Sequence, residues 1–71
     1  LEKDEEAIKC YDKALEIDPN NANAWFCKGL ALKDLKKYEE AIKCYDKVLE
    51  LDPEKIFVEI YRKDALKAIG R

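Results

Sequence analysis

The chain has no histidine, serine or threonine among its 71 residues. Without them, no Ser-His or Cys-His nucleophile pair can be assembled. Proline and glycine are nearly absent too, limited to Pro19, Pro53, Gly29 and Gly70. So few helix breakers favour a chain built only of helices. No glycine-rich phosphate loop is present, which removes nucleotide binding of the common kind. No apolar run approaches the roughly 20 residues needed to span a bilayer, and no signal-peptide pattern is present. The net charge is only −2, without the clustered basic surface that nucleic-acid capture usually needs. Neither a membrane nor a nucleic acid is therefore an expected partner.

Cysteines are few and odd in number: Cys10, Cys27 and Cys44. That count does not describe a secreted disulfide scaffold, so an intracellular, cytoplasmic protein is expected. The three lie on three separate predicted helices and lack Cys-x-x-Cys spacing for zinc. No metal or other cofactor is expected. The adjacent carboxylates Glu5-Glu6 and Glu39-Glu40 could suggest acid–base work. Charge favourable to a helix start explains them better, and no enzyme is expected.

What the chain does have is 48% hydrophobic and 42% charged residues, enough apolar content for a folded core. It also repeats itself. Residues 5–19, EEAIKCYDKALEIDP, align with residues 39–53, EEAIKCYDKVLELDP, at a spacing of 34. Only Ala14 against Val48 and Ile17 against Leu51 differ. A period between about 20 and 50 residues marks a solenoid or a related array.

Both copies read as amphipathic helices. Ala41, Ile42, Tyr45, Val48 and Leu49 form one apolar stripe, and Ala7, Ile8, Tyr11, Ala14 and Leu15 form its echo. Asp4 is expected to cap the first helix, with Glu5 and Glu6 at its positive end. Asp18-Pro19-Asn20-Asn21 breaks the chain. A second helix is expected over about 23–35, with Trp25, Gly29 and Leu32 on one face. Glycine inside a helix costs about 1 kcal/mol relative to alanine, so Gly29 implies close approach of a partner helix. The short Lys36-Lys37 link then predicts an antiparallel hairpin. A fourth helix is expected over about 53–69, with Asp52 as cap and Pro53 at its first position. Gly70 fits its end. Apolar residues wrap that last helix well beyond one stripe, which predicts burial on more than one side.

Residues 22–55 resemble one complete tetratricopeptide repeat. Trp25, Gly29, Leu32, Tyr38, Ala41, Tyr45 and Pro53 match its large and small residues in order. Val48 stands where alanine is usual, Lys28 where an apolar residue is usual, and Lys36 where the turn often has glycine. Residues 1–21 resemble the second helix of a preceding unit. Residues 56–71 resemble the first helix of a following unit or a C-terminal cap. There Ala65, Leu66 and Gly70 agree, while Glu59 replaces an aromatic and Lys63 a glycine. The expectation is an all-α, TPR-like solenoid fragment of four antiparallel helices, forming a single domain over 1–71.

The resemblance implies a protein–protein interaction module. In that family, first helices line a concave groove that holds a peptide or helix of a partner. By position, Asn23, Phe26, Cys27, Leu30, Lys33 and Asp34 would line it. The last helix would add Phe57, Ile60, Tyr61, Asp64 and Lys67. A family subset clamps a partner's terminal carboxylate with Lys, Arg and Asn. Phe26 and Leu30 stand where a lysine and an asparagine would be wanted, so an apolar or amphipathic segment is expected instead. The alternative is that Phe26, Leu30, Phe57, Ile60 and Tyr61 simply pack on other helices.

The half units suggest a second role. A repeat cannot bury its apolar face alone, and about three units are usually required. Pairing the last helix of one molecule with the first helix of another would complete a hybrid repeat, giving a homodimer or an open array. The expected faces are Ala7, Ile8, Tyr11, Ala14 and Leu15 on one side, and Ile60, Tyr61, Ala65 and Ile69 on the other. A purely structural self-assembly unit with no separate ligand is the competing reading. Because the chain opens on Leu1, not Met, it is expected to be a piece of something longer.

Overall fold

A computed structural model describes residues 2–70. Four helices follow one another: α1 (Glu2–Ile17), α2 (Ala22–Asp34), α3 (Tyr38–Leu51) and α4 (Phe57–Ala68). Each packs on the next in the chain: α1 on α2, α2 on α3, and α3 on α4. The connections are short, so neighbours run antiparallel. The result is a slab of 33 × 30 × 14 Å, as a solenoid fragment should be.

Its core centres on α3. Ala41, Ile42, Cys44, Tyr45 and Val48 are buried there, joined by Leu32 from α2 and by Val58 and Ala65 from α4. Gly29 explains how close α2 comes. A Cβ added to it would lie 2.6 Å from Cε1 of Tyr45 and 3.3 Å from Cβ of Cys44. Only glycine lets the Tyr45 ring lie against the α2 backbone. The indole of Trp25 donates a hydrogen bond to the Pro19 carbonyl at 2.8 Å, tying α2 to the turn before it.

The Asp-Pro turns recur with the sequence. The Asp18 carboxylate accepts the Asn20 N–H at 3.1 Å, and the Asp52 carboxylate accepts the Glu54 N–H at 3.2 Å. The Asp18 and Asp52 carbonyls accept from Asn21 and Lys55 in turn. This turn corrects the expected start of the last helix. Asp52 and Pro53 do not cap and open α4; their side-chain and main-chain hydrogen bonds close a turn that competes with helix, and α4 begins at Phe57. Asp4 is corrected too. It lies inside α1, which already runs from Glu2, so it does not cap that helix. Asn21 is the N-cap of α2, its side chain accepting the Ala24 N–H at 3.1 Å.

Lys36 ends α2 at a φ of 63°. Its N–H donates to the Lys33 carbonyl and that of Lys37 to the Leu32 carbonyl, a Schellman arrangement. Gly70, one period later, has a φ of 80° after α4.

Candidate functional site

Phe26 of α2 and the aromatic residues of α4 meet on one side of the slab. Phe26 sits at their centre, edge-on to Phe57 at 5.5 Å and to Tyr61 at 5.2 Å between ring centroids. Beneath it lies Tyr45 of α3, 6.0 Å from Phe26 and 6.2 Å from Tyr61. These are favourable edge and tilted geometries, each worth about 0.5–1.5 kcal/mol beyond area burial. Lys33 holds its ammonium 5.7 Å from the centre of the Tyr61 ring. Asp34, Asp64 and Lys67 stand exposed along the same side.

The floor is buried and the rim is open. Tyr45 is fully buried, and its hydroxyl makes no hydrogen bond to the described residues. Burial pushes its phenol up to about 12, with the fields of Cys44, Asp34, Tyr61 and Asp64 acting in the same direction. By contrast, Phe57 is 47% exposed and Ile60 64% exposed. Packing therefore accounts for Phe26, Tyr61 and Leu30, which are half-buried, and leaves Phe57 and Ile60 uncovered.

Other expected lining residues lie differently. Asn23 is exposed, and Cys27 is half-buried beside Tyr11 of α1. Charge on that thiol, then burial, then a hydrogen bond to it raise the Tyr11 phenol above its usual range. Cys27 thus serves the α1–α2 junction. The cysteines are all free: Cys10 exposed, Cys27 half-buried and Cys44 buried. Burial pushes the Cys44 thiol up to about 11, partly offset by the positive Lys28.

The faces expected for self-association are unequal. Leu15 and Ala65 are already buried within the chain. Ala7, Ile8, Tyr11, Ala14, Tyr61 and Ile69 are half-buried, and Ile60 is exposed. Two ion pairs not singled out in the sequence span the two junctions. Lys28 meets Asp12 at 2.6 Å, and Arg62 meets Asp46 at 2.5 Å. Both partners recur at the 34-residue period, which is the signal that could have found them. Among the described residues, no three metal-ligating side chains come together, and no helix is long and apolar enough to cross a membrane.

Comparison with known families agrees with this geometry. A tetratricopeptide repeat model matches residues 22–55, and a second TPR repeat model matches residues 1–36. No curated protein matched the chain. Repeats of this kind are generally protein–protein interaction modules and typically non-catalytic. Two copies of one turn and two copies of one ion pair follow one period, a glycine seated under a tyrosine joins α2 to α3, and the chain belongs to the tetratricopeptide repeat family.

Proposed function

We propose that the α2–α4 face is a docking groove for an apolar or amphipathic protein segment, and that the chain is a non-catalytic binding module. The observation that carries this reading is the exposure of Phe57 and Ile60 beside a packed aromatic floor. Rigid aromatic surface supplies binding area at little entropic cost, and buried anchors of this type dominate interface energetics. Lys33, Asp34, Asp64 and Lys67 supply a polar rim of mixed charge. In this reading the chain is one domain, with a whole unit at 22–55 between half units at 1–21 and 56–71. Three free thiols accord with a reducing compartment, the cytoplasm.

The test is selection of displayed peptides against the chain, repeated on a Phe57→Asp/Ile60→Asp variant. Enriched peptides should carry apolar anchors and lose the variant by about tenfold or more, equivalent to about 1.4 kcal/mol. Peptides that bind both proteins equally would remove this groove from the account.

A second reading, self-association, has its own observation. Cys10 is exposed and Tyr11 half-buried, whereas their equivalents Cys44 and Tyr45 are buried under α2. Among the described residues, no helix lies over the same face of α1. A second copy's α4 could cover it, with Ile60 taking the place that Phe26 takes over Tyr45. Lys63 stands where Gly29 makes room for that tyrosine, so the hybrid would have to be wider than the intact unit. Sedimentation equilibrium decides: mass rising with concentration supports the reading, and a monomer at millimolar concentration removes it.

A further inference from the structure

A second groove lies on the other side of α2. Trp25, Lys28, Leu32 and Leu35 share one side of that helix, while Phe26, Leu30 and Lys33 share the opposite one, as 3.6 residues per turn requires. Helices α1 and α3 both pack on α2 and leave between them a groove of ≈ 680 Å³. Its floor is apolar, made by Ile8, Trp25, Leu32, Leu35 and Cys44. Its walls are charged, and unevenly so. Lys28 and Asp12 pair with one another. The remaining charges are Lys9 on α1, Lys37, Lys43 and Lys47 on the α3 side, and Glu5 and Glu40. Four lysines thus face two glutamates, in a chain whose net charge is −2.

We propose that this groove docks an acidic amphipathic helix of a protein partner. Two helical walls over an apolar floor suit helix-in-groove recognition, in which side chains at i, i+3 or i+4, and i+7 of one face enter the cleft. The length agrees. From Trp25 to Leu35 the floor runs about 15 Å at 1.5 Å per residue, roughly three turns of a docked helix. The charge selects the partner. Carboxylates flanking its apolar stripe would meet Lys9 on one wall and Lys37, Lys43 and Lys47 on the other, while the lysine stems extend the apolar lining. Opposed fields of this kind steer encounter and reject partners of the wrong sign. This groove and the aromatic one lie on opposite sides of α2, so the two could be occupied together.

Trp25 is the only tryptophan and lies on the floor, so its fluorescence reports occupancy. The probe is a synthetic helical peptide of about three to four turns, with leucines along one face and glutamates flanking them. A control peptide carries lysine in place of each glutamate. The expected result is a saturable change in Trp25 emission with the glutamate peptide, at least about tenfold weaker with the control, and weakened by added salt. A Lys9→Glu/Lys47→Glu variant with an unchanged circular dichroism spectrum should reverse the preference. Ile60→Asp, in the other groove, should leave it intact. Equal binding of both peptides, no Trp25 response, or an affinity untouched by the lysine reversal would overturn the inference. So would loss of binding on Ile60→Asp alone, which would place the peptide in the aromatic groove.

Discussion

Helices α2 and α4 hold the same place in the repeat, one period apart, and differ in what covers them. Toward the helix before, they are alike. Ala24 and Val58 are both buried, as are Ala31 and Ala65, and Lys28 and Arg62 each meet an aspartate of that helix. Toward the helix after, they part. Gly29 of α2 lies under Tyr45, whereas its equivalent in α4 is the exposed Lys63. Phe26 of α2 is half-buried, whereas its equivalent Ile60 is 64% exposed. Each first helix is therefore specified by two separate contacts. The chain satisfies both for α2 and one for α4. The same asymmetry runs through the second helices, where α3 is covered on the face that α1 leaves half open.

That contrast can be broken most severely at the tyrosines. Tyr45→Ala opens a cavity where a fully buried ring was and should cost about 3–5 kcal/mol. Tyr11→Ala, at the half-buried equivalent, should cost about 1 kcal/mol. Urea denaturation of both variants measures the difference. Equal losses would mean that α1 is covered as α3 is.

The glycine gives the next largest effect. Gly29→Val drives a branched side chain into the Tyr45 ring and should destabilise by about 2–3 kcal/mol, as overpacking does. Lys63→Val should change stability by less than about 0.5 kcal/mol, because that position is exposed. Thermal midpoints of the pair check this.

Alkaline pH probes the buried side alone. The Cys44 thiol rises from 9.0 to about 11 and the Tyr45 phenol from 10.0 to about 12, chiefly through burial. Both are neutral acids that the fold keeps neutral. Their contribution is full below the unfolded values near 9 and 10, and is lost as pH climbs through the folded ones. Stability should thus fall between about pH 9 and pH 12. Cys44→Ala should flatten the lower part of that decline in a melting series against pH. An unaltered decline would detach it from Cys44.

The smallest effect lies at the helix ends. Lys36 and Gly70 share a left-handed backbone one period apart, which costs a lysine about 1 kcal/mol more than a glycine. Lys36→Gly should stabilise and Gly70→Lys should destabilise, each by about that amount, since the backbone strain applies however open the surroundings. Chemical denaturation of the two reads the signs.

Periodicity made the fold legible, because an apolar stripe repeated at a fixed spacing allows few other arrangements. Gly29 announced a close approach, and the structure names Tyr45 as what approaches. The start of α4 was not legible. Asp52-Pro53 reads equally well as a helix start or a turn, and the main chain decides: the Ile56 N–H goes to the Glu54 carbonyl, and α4 begins only at Phe57. Lys36 stood out as an odd turn residue without revealing its φ. At the site, residue types marked Phe26, Phe57, Ile60 and Tyr61. Spacing alone could not say which of them the chain covers for itself, because that depends on how α4 tilts across α2. The lysine-walled groove escaped the sequence altogether, since it joins residues of three helices and each lysine looks like ordinary solvated surface.

Amide hydrogen exchange in a dilute, monomeric sample tests the unequal cover of the two helices most directly. Amides in the middle of α2 should exchange only through global unfolding, while those of α4 should open at least about tenfold more often. Protection of α4 equal to that of α2 under those conditions would contradict it.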